Sequence, residues 1–166
     1  MKLVYVFIAL LGISMLSAFA KADKYSSFKQ NYSEQEVKTV INTFFKGFHS
    51  QDSSLIKRVV HQDVIIQSIG KSKTGSVELS TQNFNNFLTS ICSISDNTTF
   101  EERIDSYEIK MNGKMANVWA PYSFFINGNL SHCGINNFQL IKRNNVWKIF
   151  YIVDTREREG CSERRG

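Results

Sequence analysis

The chain has 166 residues, 42% of them hydrophobic and 13% aromatic, and 20 Lys and Arg against 15 Asp and Glu give a formal net charge of +5. That length bounds one ordinary domain. The cations (Lys46, Lys57, Arg58, Lys71, Lys73, Lys110, Lys142, Arg143) are interleaved with Glu101, Glu102, Asp105 and Glu108, without the basic stripe that neutralises phosphates, so a nucleic acid is not an expected partner.

The first residues read as an export signal. Lys2 precedes an uncharged run from Leu3 to Leu16, and Ala18-Phe19-Ala20 offers the small-x-small pattern of a cleavage site. The run is shorter than the roughly 20 residues of a membrane-spanning helix. The expectation is a signal peptide over residues 1–20, with a cut after residue 22 as the alternative, and a mature protein that is periplasmic or secreted. Its removal takes one Lys and no acid, leaving +4 from the +5 of the whole chain.

A flexible polar stretch over residues 21–32 follows. Ser33 and Glu36 then spell a capping box, and Val37, Val40, Ile41, Phe44, Phe45 and Phe48 recur at the spacing of one helical face. Asp52 or Ser53 caps a second, short helix carrying Leu55, Ile56, Val59 and Val60. The β-branched run 64–69, stopped by Gly70, predicts a strand. Phe84, Phe87, Leu88 and Ile91 predict a third helix, with Ser80 and Thr81 as potential caps.

From Phe100 onward the chain becomes strand-like. Asn112-Gly113, Asn127-Gly128 and Arg143-Asn144-Asn145 are turn signals, and they divide the remainder into four long strands, 100–111, 114–126, 130–142 and 146–155. Helices first and an antiparallel meander last imply an α+β fold with the helices on one face of the sheet. The domain spans residues 33–156 with no linker or repeat, and residues 157–166, rich in both charges, read as a solvated tail.

Three cysteines, Cys92, Cys133 and Cys161, allow at most one internal disulfide. Cys92 falls on the apolar side of the third helix, which leaves Cys133 and Cys161 as the candidate pair in an oxidising compartment. Spacing alone does not set connectivity, and three unpaired thiols remain the alternative. The spacing fits no zinc ribbon or finger, and no phosphate loop, nucleophile elbow or His-Glu-x-x-His occurs, so no metal and no cofactor is expected.

The order helix, helix, strand, helix and four long strands ending in Val146-Trp147-Lys148-Ile149 resembles the nuclear transport factor 2-like superfamily. The segments Trp119 to Phe125, Ser131-His132-Cys133-Gly134, Phe138-Gln139-Leu140 and Asp154-Thr155-Arg156 look like its SnoaL-like branch labelled as lumazine-binding. The resemblance implies three N-terminal helices packed on a strongly curved, mainly antiparallel sheet, a cone-shaped roll. It also implies an apolar pocket between sheet and helices, and pairing of two copies through the outer sheet face. Because this fold hosts unrelated activities, it does not by itself assign one.

Within that frame the expected partner is a small apolar or aromatic ligand. Candidate ligand-binding residues are Trp119, Tyr122, His132, Asn136, Asp154 and Arg156. Asp63 joins them because family members often carry an acid before the first strand. His132 and Asn136 interrupt a strand face otherwise formed by Leu130, Gly134, Phe138 and Leu140, and polar groups on a core face need partners or a ligand. Asp154 and Arg156 alternate with Phe150 and Ile152 on the last strand. If the meander pairs in order, that strand lies beside the one carrying His132, so His132 and Asp154 are the candidate acid-base couple of a cofactor-free isomerase, cyclase or dehydratase. The third possibility is a dimeric scaffold with a filled core.

Overall fold

The computed structural model describes residues 34–161; the expected signal peptide, its cleavage site and Ser33 of the capping box lie outside them. By contacts the chain divides after Glu36, and the elements from Val37 onward form one unit. Helix α1 (residues 34–49) buries Val37, Ile41, Phe44 and Phe45, the stripe expected from the 3.6-residue spacing. Helix α2 (Ser53–Val59) is capped by Asp52, whose carboxylate accepts from the amides of Ser54 and Leu55 at 2.9 Å each. Helix α3 (Phe84–Cys92) is capped by Asn83.

Asn83, and not Ser80 or Thr81, starts α3 because those residues belong to a strand that the spacing did not reveal. The strands are β1 (Val60–Lys71), β2 (Val77–Gln82), β3 (Phe100–Ile104), β4 (Glu108–Asn112), β5 (Met115–Ile126), β6 (Asn129–Arg143) and β7 (Val146–Thr155). They form a seven-stranded sheet in the order β2-β1-β7-β6-β5-β3, with β4 also paired to β5. All neighbours are antiparallel except β1 and β7, where the chain crosses over to run parallel. The fold is α+β, with three helices on a large, curved, mainly antiparallel sheet.

The strand expected over residues 100–111 is two. Its halves pair with opposite ends of β5, Phe100–Ile104 against the Tyr122 end and Glu108–Asn112 against the Met115 end. The β5–β6 turn, Asn127-Gly128, has φ of 50° and 77°, the left-handed pair that a two-residue hairpin loop demands and that Asn and Gly tolerate.

Two bulges re-aim side chains. Phe124 pairs with His132 but Phe125 pairs with Leu130, so Ser131 is extra and Leu130 lies on the face opposite His132 instead of sharing it. In β7, Tyr151 pairs with Gln139 and Ile149 with Leu140, so Phe150 is extra and does not share the face of Ile152 and Asp154.

The start of the expected tail is exposed over residues 157–160 but tethered, and residues 162–166, like the stretch 21–32, lie outside the described residues. Cys133 and Glu157 exchange backbone hydrogen bonds at 2.9 and 2.8 Å, and a disulfide joins Cys133 to Cys161 with Cα atoms 5.6 Å apart. Cys92 is a free, exposed thiol rather than a buried one.

Candidate functional site

The inner face of the sheet changes character along its strands. Toward one end, Ala116, Val118, Ala120, Leu140, Trp147 and Ile149 pack with Val37, Ile41 and Ile56 into a filled core. Toward the other lies a cavity of about 210 Å³. Phe44, Phe45, Phe48 and Phe87 from the helices and Phe124 and Phe138 from the sheet form its aromatic wall, and Glu102, Tyr122, His132, Asn136, Asp154 and Arg156 its polar one.

Register explains the convergence. Ser68, Asp154 and Asn136 stand opposite one another across β1, β7 and β6. Glu102, Phe124 and His132 form a second row across β3, β5 and β6. Cross-strand neighbours share a face, so both rows lie on the inner side of the sheet, and all their members except Ser68 line the cavity.

Asp154 is a buried carboxylate that accepts from three side chains. Ser68 Oγ donates a short hydrogen bond to Oδ1, and Arg156 Nε donates to Oδ2 at 2.7 Å. The Tyr122 hydroxyl is 3.3 Å from Oδ2 and 3.0 Å from the Thr155 carbonyl, between which its one proton is shared. Tyr122 reaches them by crossing β6 at Gly134. A Cβ there would sit 1.8 Å from the Thr155 carbonyl oxygen and 2.9 Å from Tyr122 Cε1. Burial, and then the negative charges of Asp154 and Glu102, raise the tyrosine's pKa, so the hydroxyl stays protonated as a donor.

Glu102 is the site residue that sequence reasoning missed. Asn136 Nδ2 donates to its Oε1 at 2.6 Å, and its backbone amide donates to His49 Nε2 at 2.9 Å. Loss of water pushes the Glu102 pKa up to about 7; the Asn136 hydrogen bond opposes this, the charge of Asp154 adds to it, and Arg156 opposes it. The carboxyl therefore changes protonation at neutral pH. Its sequence signal is the alternation Phe100, Glu102, Ile104, an acid where a strand face is otherwise apolar. His49 accepts through Nε2 and so is unprotonated there, and burial lowers its pKa against the opposing charge of Glu101.

The expected His132 and Asp154 couple is not made. Asp154 stands opposite Asn136, while His132 Nδ1 is 3.2 Å from Ser131 Oγ, and the imidazole packs on Phe124 with ring centroids 4.8 Å apart. Burial lowers the His132 pKa, with Arg156 and Arg158 adding to the effect and Asp154 opposing it.

Two expected site residues lie elsewhere. Trp119, 46% exposed, pairs with Asn137 on the outer face, because its neighbour Val118 takes the inner one. Asp63 sits where the β1 register slips between Val60 and Ile65, and its side chain is 77% exposed beside His61. Among the described residues, no group of three or more His, Cys, Asp or Glu converges as a metal site requires.

No protein-family profile and no curated protein matches the chain. Solved structures do match in shape. An NTF2-like protein of unknown function from Shewanella baltica aligns at TM-score 0.56 and 14% identity over 76% of this chain and 94% of its own. A protein of unknown function with a cystatin-like fold from Nostoc punctiforme aligns at 0.59 and 12% over 76% and 92%. A candidate dehydratase of the NTF2-like family from Streptomyces avermitilis aligns at 0.59 and 11% over 77% and 98%. At these identities the likeness is one of architecture, and this chain has the NTF2-like fold.

Proposed function

We propose that this is an exported binding protein for a compact, largely apolar or aromatic molecule, held in the cavity between the helices and the sheet. The observation that carries the reading is the aromatic cavity with Glu102, Tyr122, His132, Asn136, Asp154 and Arg156 along its sheet side, the composition by which small-molecule sites combine burial with orientation. The volume of about 210 Å³ is below the roughly 300–1,000 Å³ of sites for drug-sized ligands, so the enclosed part of the ligand is small. A bicyclic heteroaromatic, the kind of molecule named by the lumazine-binding label, is a reasonable first test compound. Exposed Ile65, Leu79, Met115, Trp119 and Ile141 on the outer sheet face favour pairing of two copies there. Native mass spectrometry of the protein recovered from the exported fraction tests both points: a co-purified small molecule and a dimer mass are expected. A bare protein that takes up no aromatic probe at millimolar concentration would remove the binding reading.

A second reading, cofactor-free acid-base catalysis on a carbonyl compound, is favoured by Glu102. A carboxyl with a pKa near 7 is matched to proton transfer at neutral pH, and Arg156 lies on the same wall with N–H groups left to stabilise an oxyanion. The proton-transfer group in this reading is Glu102 and not a His132 and Asp154 pair. Turnover of an enolisable ketone that rises with a pKa near 7 and is lost in Glu102→Gln would establish it.

A further inference from the structure

The cavity shares two wall residues, His132 and Arg156, with a second and larger hollow of about 750 Å³, which Lys71, Glu157, Arg158 and Glu159 also line. We propose that the two hollows are one site and that its ligand is an acid, with a compact ring in the cavity and an oxyanion, a carboxylate in the simplest case, in the hollow between Arg156, His132 and Arg158. This rests on the binding reading above and adds the charge and placement of the ligand's polar end.

Arg156 supplies the first argument. Its Nε is committed to Asp154 at 2.7 Å and its Nη2 donates to Ser68 Oγ at 3.2 Å. These two bonds fix the plane of the guanidinium, whose five N–H groups are not exhausted by them, and the side chain is 56% exposed. A guanidinium held by one edge at a shared wall presents its other edge for paired hydrogen bonds to a carboxylate.

Charge supplies the second. Glu157 and Glu159 line the hollow too, but the charges that act on His132 are Arg156 and Arg158 against Asp154. Asp154 is already engaged by Ser68, Tyr122 and Arg156. The lining as a whole is balanced, with Lys71, Arg156 and Arg158 against Asp154, Glu157, Glu159 and Glu102; what favours an anion is the local pair of Arg156 and Arg158 beside His132.

Preorganisation supplies the third. The segment carrying Arg156 to Glu159 is tied to β6 at both ends of its return, by the Cys133–Glu157 backbone pair and the Cys133–Cys161 disulfide. The backbone that carries Arg158 is therefore held beside the hollow, which lowers the part of the entropic cost of binding that comes from ordering the chain.

The test is titration calorimetry of the full chain with 2-naphthoate and with 2-naphthamide, which share shape and differ in charge, at pH 7.5 and low salt. Naphthoate should bind at least about tenfold tighter, the factor of one charge-assisted hydrogen bond. Arg158→Gln should weaken naphthoate by about fivefold or more and leave naphthamide unchanged. Raised salt should act in the same direction. Equal affinities that ignore Arg158→Gln would overturn the oxyanion assignment and leave the cavity reading standing, whereas binding of neither compound would remove both.

Discussion

Strands β5, β6 and β7 each build two different regions from one continuous hydrogen-bonded ladder. At one end they contribute Ala116, Val118, Ala120, Leu140 and Ile149, all fully buried, and the helices fill the space above. At the other they contribute Tyr122, His132, Gly134, Asn136 and Asp154, and the helices leave a cavity. The backbone does not distinguish these ends. What differs is that small and aliphatic side chains interdigitate, while the polar end needs each buried group to be partnered, which fixes positions but keeps the space open. The filled end holds the fold, and the hollow end holds chemistry that the filled end stabilises.

The largest test of that division is Gly134→Ala. Its new methyl would meet a backbone carbonyl at 1.8 Å, and only movement of β7 away from β6 relieves that. A loss of more than about 4 kcal/mol is expected from such overpacking, read as the midpoint of urea unfolding. A change below about 1 kcal/mol would mean that the Thr155 carbonyl does not pack against Gly134.

Next comes the Cys133–Cys161 disulfide, which closes a loop with a sequence separation of 28. Chain-entropy arguments give about 3.5 kcal/mol for such a loop. Cys161→Ser should lose roughly that amount under oxidising conditions and nothing further when a reductant is added, while the wild-type protein should fall to the level of the variant on reduction. If the two proteins unfold at the same denaturant concentration without reductant, residues 157–161 contribute nothing to the hollow end.

The two ends also differ in how far they were legible. The filled end rests on local patterns: the α1 stripe, the Asp52 cap and the Asn112-Gly113 turn, which leads into β5 at Met115, all act within a few residues of chain. The hollow end rests on long-range register. Glu102 acquires its meaning from Asn136 and His49, which lie 34 and 53 residues away in sequence, and no periodicity reports such a partner. The bulges at Ser131 and Phe150 each reverse which neighbours share a face, so strict alternation placed Leu130 and Phe150 wrongly while still bringing His132, Asn136, Asp154 and Arg156 to one wall. Strand β2 was invisible for a different reason: all six residues are exposed, so no buried face imposes a pattern, and Ser80 and Thr81 read equally well as helix caps.

Glu102 gives the third test, with a sign opposite to that of most acids. Its pKa in the folded protein, about 7, lies above the ordinary 4.5, so the folded state holds the proton more tightly than the unfolded one. The wild-type protein should therefore lose stability as pH rises from about 4.5 through about 7, by at most about 3 kcal/mol from this group, and change little from it at higher pH. Glu102→Gln keeps an acceptor for Asn136 and has no charge to desolvate. It should flatten that slope and be the more stable protein at pH 8. A variant less stable than wild type at pH 8, with the slope intact, would show that the carboxyl is hydrated and ionised in the cavity wall.

The smallest expected effect belongs to Asp63, and its smallness is informative. Its carboxylate lies 3.7 Å from His61 Nδ1 with most of its surface in water, and Nδ1 is already accepting from the Asp63 amide at 3.2 Å, so the contact contributes less than the about 0–1 kcal/mol of an exposed ion pair. It touches neither end of the inner face, because the β1 slip between Val60 and Ile65 turns it outward. Asp63→Asn should shift the unfolding midpoint by less than about 0.5 kcal/mol and leave naphthoate affinity within twofold. If affinity instead fell tenfold or more, the wall of the site would extend past Val64 along β1, and the boundary between the filled and hollow ends would have to be redrawn to include the start of that strand.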